Sequence, residues 1–219
     1  DCSVVLLERM QEVGRKLNAS GNGRGNISHT GELATHYHSM DSSGDWIRRH
    51  TAAWPGSRLR DWFGAHGLAT RADRSGRVYP LSGQARSVTR LLVGLAEELG
   101  VRIETDCEVT GLERLPGRHP LWQTETANGR YFSPAVVLSS GGSAQPNLGS
   151  NGSGWELLKR LGLKITPVLP ALVQLKCSRW PKRLSGVRLQ ATLSAGGHTV
   201  EGELLLTDYG LSGIVTLEL

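Results

Sequence analysis

The opening of the chain constrains its fold more than any other segment. A short apolar run, residues 4–7, ends in Glu8 and is followed by a loop, residues 14–26, with four glycines in thirteen positions. A β-branched and leucine run bounded by polar residues is typical of a buried strand in a parallel sheet. In dinucleotide-binding folds, a carboxylate at the end of such a strand accepts hydrogen bonds from a ribose diol. The segment therefore predicts a nucleotide cofactor site.

The loop itself has the properties that a phosphate group requires. Its glycines permit positive φ, leave backbone N–H groups exposed and let the main chain approach a ligand closely. Arg15, Lys16 and Arg24 add positive charge in the same segment. We expect this loop to face the pyrophosphate of the cofactor.

Four blocks of sequence, in order, resemble one flavoprotein family. The first block contains Glu8-Arg9, residues 13–17 and residues 20–24, and the later blocks are residues 141–154, 170–175 and 206–213. They are similar to the FAD-binding, two-dinucleotide-fold family that includes aminoacetone oxidase, many of whose members are described as NAD(P)/FAD-dependent oxidoreductases. Two departures lie beside the expected flavin. Gly25 stands where the family usually has Cys, and Ile27-Ser28-His29 stands where it has Leu-Thr-Asn.

The resemblance implies a FAD cofactor, with NAD(P)H as a further electron partner, and it implies which residues contact FAD. Glu8 would hold the adenosine ribose, and the loop would face the pyrophosphate and flavin side. The glycines near residue 141 would pack on the cofactor. The expected cofactor-binding residues are Glu8, Arg9, Lys16, Asn22, Gly23, Arg24, Val109, Gly141 and Gly142.

Two of these assignments have a structural alternative. Residues 135–138 predict a buried strand that leads to Gly141 and Gly142, where the absence of side chains lets backbone pass close to a dinucleotide. An ordinary tight turn is the alternative there. Val109 matches the position whose backbone contacts adenine in related flavoproteins, and a plain sheet valine is its alternative.

The pattern as a whole predicts an α/β fold in two parts. We expect a FAD-binding Rossmann-like domain over residues 1–164 and part of a mainly antiparallel β-domain over residues 165–219. Apolar spacing predicts helices over residues 58–66 and 88–99, and Asn128-Gly129 predicts a hairpin turn. Ser153 and Glu156 predict a capping box for a helix over residues 155–161. The apolar runs from residue 173 onward, including residues 214–219, predict strands.

The usual glycine turn of such folds is not found in the sequence. Neither Gly21, Gly23 and Gly25 nor the glycines of residues 149–154 have the Gly-x-Gly-x-x-Gly spacing that binds a pyrophosphate at a helix N-terminus. The chain also opens at what resembles the second strand of the fold. We therefore expect an internal fragment that lacks the first βα unit.

Composition limits the partners and the compartment. The formal net charge is +5, but the cations are scattered outside the loop and three small groups, so a nucleic-acid partner is not favoured. Three widely spaced cysteines favour a reducing, cytoplasmic setting over disulfides or zinc. No apolar run approaches the ~20 residues that span a bilayer.

The expected function is that of a FAD-dependent oxidoreductase acting on a small molecule. The resemblance suggests an amine such as aminoacetone, with electrons passed to oxygen or a nicotinamide. Two alternatives stay open, a tRNA-modifying type of flavoprotein and a non-catalytic remnant. His29 is a candidate acid or base, whereas His36 and His38 more often form a surface pair than a metal site. No catalytic residue is assigned.

Overall fold

The structure, a computed structural model, describes residues 2–36, 45–117, 121–170 and 172–219. The chain divides into two compact units, Asp1–Ile165 and Thr166–Leu219. The division falls one residue after the boundary expected between residues 164 and 165.

The strands of the described residues form four separate sheets. Unit 1 holds a two-stranded parallel sheet and two three-stranded antiparallel sheets, and unit 2 holds a four-stranded antiparallel sheet. The strands are Val5–Leu7 (β1), Ser28–His29 (β2), Thr70–Ala72 (β3), Arg77–Pro80 (β4), Arg102–Glu104 (β5), Val109–Leu115 (β6), Leu121–Thr126 (β7), Gly129–Ser133 (β8), Leu175–Lys176 (β9), Arg188–Ala195 (β10), His198–Leu206 (β11) and Gly210–Ser212 (β12).

Most of the described helices lie in unit 1, and unit 2 contributes α6 and one 3₁₀ helix. The α-helices are Arg15–Ala19 (α1), Asp45–Ala53 (α2), Gly56–Ala65 (α3), Ala85–Glu98 (α4), Ser153–Arg160 (α5) and Ile214–Glu218 (α6). Three single-turn 3₁₀ helices occupy Leu33–His36, Pro146–Leu148 and Lys182–Leu184. The predicted helices near residues 58–66, 88–99 and 155–161 correspond to α3, α4 and α5.

The parallel pair β1–β5 places the end of the first strand. Leu6 lies opposite Ile103 and Leu7 opposite Glu104. The expected burial of this strand is wrong, because Val4, Val5 and Leu6 are 39–48% exposed. A parallel strand is buried when it has strands on both sides and helices on both faces. Within the described residues, β5 is the only strand paired with β1.

The core of unit 1 forms where the antiparallel sheet β2–β4–β3 meets the helices. Val78 on β4 and Val88 on α4 are fully or almost fully buried, and Phe63 of α3 is 5% exposed. Apart from the helix predicted over residues 58–66, residues 27–80 carry no clear periodicity. This sheet was therefore not predicted from the sequence.

The hairpin sheet β6–β7–β8 agrees with the sequence pattern. The hairpin forms where it was expected, but its turn is one residue earlier than predicted. Thr126 pairs with Gly129, so Ala127 and Asn128 form the turn and Gly129 begins β8, and the register runs on to Trp122 opposite Ser133. The ladder between β6 and β7 shifts register between Val109 and Gly111. The strand at which Val109 stands therefore begins at a bulge.

Unit 2 departs from its prediction at residues 214–219, which form helix α6 and not a strand. Val215 is fully buried, and its side chain lies over Gly202 of β11, 3.5 Å from the place where a Cβ would stand. The Thr216 hydroxyl donates to the Ser212 carbonyl at 3.0 Å. Periodicity cannot separate a short apolar run in a strand from one in a helix. Packing on the sheet decides it here.

Two local expectations in unit 1 are also wrong. Residues 135–138 form no strand, and Val137 is 87% exposed, because no described strand lies alongside to complete a ladder. Ser153 is the first residue of α5 and not its cap. Gly152 occupies the cap position at φ +81°, and the Ser153 N–H donates to the Asn151 side-chain oxygen at 3.1 Å.

Candidate cofactor site

Glu8 stands at the carboxyl end of β1, as predicted, and the surrounding backbone fixes its position. Its N–H donates to the Glu104 carbonyl at 2.8 Å, and its carbonyl accepts the Cys107 N–H at 2.9 Å. One carboxylate oxygen, Oε1, accepts the Met10 N–H at 2.9 Å. The other oxygen, Oε2, has no hydrogen-bond partner within the residues the structure describes. A half-buried carboxylate with one oxygen available fits a ribose hydroxyl.

Arg9 links this strand end to two later segments. Its Nη1 lies 3.4 Å from Glu108 Oε1, and its Nη2 donates to the Pro146 carbonyl at 3.5 Å. Its Nε is buried without a partner. Most of the guanidinium is therefore engaged by protein, and its expected role toward the cofactor stays a prediction.

The remaining residues expected near the adenosine lie on the segments that Arg9 ties together. Val109 follows Glu108 and begins β6. Gly142 accepts the Gly152 N–H at 2.9 Å, and a Cβ on Gly141 would lie 3.2 Å from the Ser150 hydroxyl. We call Glu8, Arg9, Glu108, Val109 and the 141–150 loop the strand-end cluster.

The glycine loop closes on itself. The N–H groups of Gly23 and Gly25 donate to the Ser20 carbonyl at 3.1 and 3.0 Å, and the Arg24 N–H donates to Gly21 at 3.2 Å. The prediction that glycine leaves the loop N–H groups exposed is therefore wrong for these three residues. Positive φ at Asn22 and its neighbours curls the chain back onto its own carbonyls.

The loop is fixed to helix α4 at two points. The Ala85 N–H donates to the Gly23 carbonyl at 2.9 Å, and Gly25 is buried with its Cα hydrogen facing Ala85. In the first half of the loop, which forms α1, the Thr89 hydroxyl donates to the Asn18 side-chain oxygen at 2.7 Å. The loop is thus held by packing and hydrogen bonds that need no ligand.

The charged part of the loop is exposed toward a tyrosine. The Arg24 guanidinium lies over the Tyr79 ring, 4.7 Å from its centroid, and its Nε donates to the Gly21 carbonyl at 3.3 Å. Arg24, Lys16, Asn22 and Gly23 are all exposed. A Cβ on Gly23 would meet no atom within 4 Å, so a ligand has room to approach this residue.

The expected site residues thus fall into two groups within unit 1. The strand-end cluster contains Glu8, Arg9, Val109, Gly141 and Gly142. The second group, which we call the loop cluster, consists of residues 20–25 with Arg71 and Tyr79. Sequence reasoning missed Arg71 and Tyr79. Strand pairing in the folded structure brings them together, since Arg71 lies directly opposite Tyr79 on the β3–β4 hairpin.

The histidines do not form a clear catalytic group. His29 Nε2 lies 2.8 Å from the Ser75 carbonyl, and its Nδ1 accepts the Gly31 N–H at 2.9 Å. Both ring nitrogens are engaged by backbone. The His36–His38 pair lies outside the residues whose side chains are described. Among the described side chains, no group of three or more His, Cys, Asp or Glu is placed to hold a metal ion.

Tyr131 contacts Cys107, whose backbone N–H is hydrogen-bonded to Glu8, and the pKa of Tyr131 is shifted. Partial burial and a contact with the Cys107 thiol, 3.9 Å from the hydroxyl, raise the pKa of Tyr131 above its usual value of 10.0. The negative charge of Glu104 acts in the same direction, and Arg102 opposes it. The neutral form of Tyr131 is therefore retained to higher pH than in an ordinary tyrosine.

Comparisons with known proteins agree with the class that the fold defines, a Rossmann-like nucleotide-binding protein. Residues 1–210 match the HI0933-like protein Rossmann domain family, so the chain belongs to that family. The α/β Rossmann-like fold class predicted from the sequence is confirmed. This family agrees with the wider FAD-binding flavoprotein family that the sequence resembles, and it does not single out aminoacetone oxidase.

Two kinds of curated relative are similar over the whole chain. The 3-dehydro-bile acid delta(4,6)-reductase of Clostridium scindens is 34% identical over 100% of this chain and 54% of its own length. The ribosomal RNA dihydrouridine synthases of Haemophilus influenzae and Escherichia coli are 22% and 25% identical, each over 99% of this chain and 55% and 54% of their own lengths. The chain thus spans about half the length of the curated relatives it matches. Among the described residues, no helix is long and apolar enough to cross a membrane.

Proposed function

We propose that this chain binds the adenosine end of FAD as part of a FAD-dependent oxidoreductase. The observation that carries the proposal is the Glu8 carboxylate at the end of a parallel strand, with Oε2 available to a ribose hydroxyl. Its position is set by three hydrogen bonds, to Glu104, Cys107 and Met10. A site that is fixed before the ligand arrives loses little conformational freedom on binding.

The described residues fit FAD in charge and in space. Glu8 would accept hydrogen bonds from the ribose, and Arg24 and Lys16 would lie toward the pyrophosphate. Gly23 leaves open space for close approach. When bound, FAD supplies the two-electron chemistry, and the protein supplies position and polarity. We also propose that residues 1–164 form the FAD-binding part and residues 165–219 the β-rich part.

For the substrate, the relatives favour hydrogen addition over amine oxidation. One relative is named a reductase of a dehydro-bile acid, and the other is named for producing dihydrouridine, which has two more hydrogens than uridine. We propose reduction of an unsaturated carbon–carbon bond in a small molecule. The aminoacetone reaction implied by the resemblance, with oxygen or a nicotinamide as electron acceptor, is the alternative.

The test is FAD binding to the purified chain, followed by absorbance in the flavin bands after gel filtration and by calorimetry with ADP. Glu8→Gln keeps the side-chain shape but removes the charge. Because a hydrogen bond to a charged group contributes about 1.5–3 kcal/mol, ADP affinity should fall roughly 10- to 100-fold. Glu12→Gln is the matched control, since Glu12 is exposed and lies 3.9 Å from Arg86.

The outcomes separate the proposal from its alternatives. Equal ADP affinity in wild type and Glu8→Gln would overturn the proposal that Glu8 binds the ribose of the adenosine. A chain that binds neither FAD nor ADP would favour a non-catalytic role.

A second candidate is an enzyme that acts on RNA, favoured by the two ribosomal RNA relatives and by the net charge of +5. Arg179, Lys182 and Arg183 form an exposed basic group in unit 2. Binding through phosphates weakens steeply as salt rises. A gel shift with ribosomal RNA fragments at 50 and 200 mM salt tests this, and no shift at the lower salt excludes it.

A further inference from the structure

A small cleft lies beside the glycine loop and is not part of the strand-end cluster. It has a volume of about 150 Å³ and is lined by Arg24, Arg71, Ala72, Asp73, Tyr79 and Gly83. Pockets that hold a whole drug-sized ligand have volumes of ~300–1,000 Å³. The cleft therefore fits one functional group of a ligand, and the rest of that ligand would lie outside it.

Two arginines in the lining of the cleft have no ion-pair partner. Within the described part of the chain, neither Arg24 nor Arg71 has a carboxylate partner within 4.0 Å. Other arginines of unit 1 do have such a partner, among them Arg9 with Glu108, Arg86 with Glu12, Arg102 with Glu104 and Arg130 with Glu125. Two guanidinium groups outnumber the one carboxylate, Asp73, in this lining, and an excess of positive charge in one cleft favours an anion there.

The scaffold holds these cations in place. Arg71 and Tyr79 are cross-strand partners on β3 and β4, so their side chains share one face of the hairpin. Tyr79 is 5% exposed, and its ring carries Arg24 at 4.7 Å. Arg24 Nη2 also lies 3.5 Å from the Tyr79 hydroxyl. A buried ring therefore orients one guanidinium, and strand pairing places the other.

Asp73 is the one acidic residue in the lining, and its hydrogen bonds show its role. Its Oδ1 accepts the N–H groups of Ser75 and Arg77 at 2.9 and 3.0 Å, which stabilises the β3–β4 turn. Its charge still lowers the affinity of the cleft for an anion. A neutral Asn at this position keeps the Oδ1 acceptor and removes that charge.

We propose that the Arg24–Arg71 cleft is an oxyanion subsite that binds a carboxylate or phosphate group of a small-molecule ligand. The inference rests on the proposed function, because the ligand is taken to be either a substrate that carries a carboxylate or the cofactor. A carboxylate would come from the substrate and a phosphate from the cofactor. Both sources present oxygens that two guanidinium groups can bind.

The experiment measures binding of two probes, sodium cholate and ADP, by calorimetry at low salt. Arg71→Gln should bind one of the two probes about tenfold more weakly than wild type does, as is typical for loss of one charge-assisted hydrogen bond. Arg24→Gln should act on the same probe. Asp73→Asn should raise its affinity about two- to threefold. Arg114→Gln, on β6, removes the same charge elsewhere and should change neither probe by more than twofold.

The choice of probe identifies the source of the anion. A loss confined to cholate, and absent for its uncharged methyl ester, assigns the subsite to a substrate carboxylate. A loss confined to ADP assigns it to a cofactor phosphate. Unchanged affinities in both arginine variants, or no binding of either probe to wild type at millimolar concentration, would overturn the proposal.

The Glu8 and Arg71 variants distinguish the adenosine site from the cleft. Glu8→Gln tests the ribose contact and leaves the cleft intact, whereas Arg71→Gln leaves Glu8 intact. Circular dichroism and urea unfolding of each variant establish that the fold is retained. A variant of Arg71 that unfolds is replaced by Arg71→Lys, which keeps the charge but not the paired donors and should recover part of the affinity.

Discussion

The strand-end cluster and the loop cluster belong to one expected cofactor site, yet the protein builds them differently. At the strand end, the polar groups are largely paired with protein, as Arg9 is with Glu108 and Pro146. In the loop cluster, backbone N–H groups are satisfied internally while the guanidinium groups of Arg24 and Arg71 stay unneutralised. We expect recognition by one carboxylate in a fixed position at the first cluster, and recognition by two guanidinium groups at the second.

The difference also concerns what holds each cluster in place. Backbone hydrogen bonds between β1, β5 and the following turn position Glu8. Side-chain packing on α4 and β4 positions the loop, at Gly25 and at Tyr79. Substitutions should therefore disturb the loop through volume and the strand end through charge.

The largest effect is expected at Gly25. Its φ is +76°, and a Cβ would stand 2.8 Å from the Ala85 Cα. Gly25→Ala should lower the free energy of unfolding by about 3 kcal/mol, since left-handed strain and overpacking add. Gly23→Ala has the same strain at φ +80° but nothing within 4 Å, and should cost about 1 kcal/mol. Urea unfolding followed by circular dichroism measures both, and equal costs would show that packing does not fix the loop.

Next in size is the hydrogen bond between α4 and the start of the loop. Thr89→Val keeps the shape but removes the 2.7 Å bond to Asn18, leaving a partly buried oxygen without a donor. The free energy of unfolding should fall by about 1–2 kcal/mol. Thr110→Val is the control, because its hydroxyl makes an exposed 3.4 Å contact with Glu125. A similar loss in both variants would contradict a special role for the Asn18 bond.

A smaller effect is expected from the ion pair at the strand end. Arg9→Gln breaks a 3.4 Å contact in which the Glu108 side chain is 51% exposed, so the cost should be below about 1 kcal/mol. The difference from wild type should shrink in 0.5 M salt. Arg86→Gln, whose partner lies 3.9 Å away, provides the comparison. A cost that does not respond to salt would show that the buried Nε, and not the ion pair, dominates.

The smallest effect is expected in the titration of Tyr131. Because the pKa of Tyr131 is raised in the folded state, its contribution to stability is full below the usual value of 10.0 and is lost as pH rises through the folded pKa. The phenolate absorbance of wild type minus Tyr131→Phe should therefore develop above pH 10. Cys107→Ala should move this component to lower pH. A component that titrates at or below its usual value would contradict the contact.

Part of the fold could be predicted because local patterns agree with the tertiary structure. Helix α4 follows apolar spacing up to Gly100, and the β7–β8 hairpin forms within one residue of the predicted Asn128-Gly129 turn. The sheet β2–β4–β3 was not predicted because its strands pair over distant segments with little alternation. Residues 214–219 carry β-branched residues that favour a strand, yet burial of Val215 over Gly202 makes them a helix.

The candidate site shows the same division. Glu8 could be predicted because the end of an apolar run is visible in sequence, and so could the loop, from its glycines. Arg71 and Tyr79 could not, because a cross-strand pair depends on register, and no local signal fixes the register of β3 against β4.

The sequence by itself determined the wider flavoprotein family but not a particular member of it, together with the α/β class and the position of the carboxylate at the end of the first strand. These features depend on residue type and order, which short-range preferences express directly. Only the tertiary structure decided that the loop amides bond to their own carbonyls and that two distant arginines line one cleft. Both depend on which segments meet, and contacts between distant segments are set by packing of the whole unit.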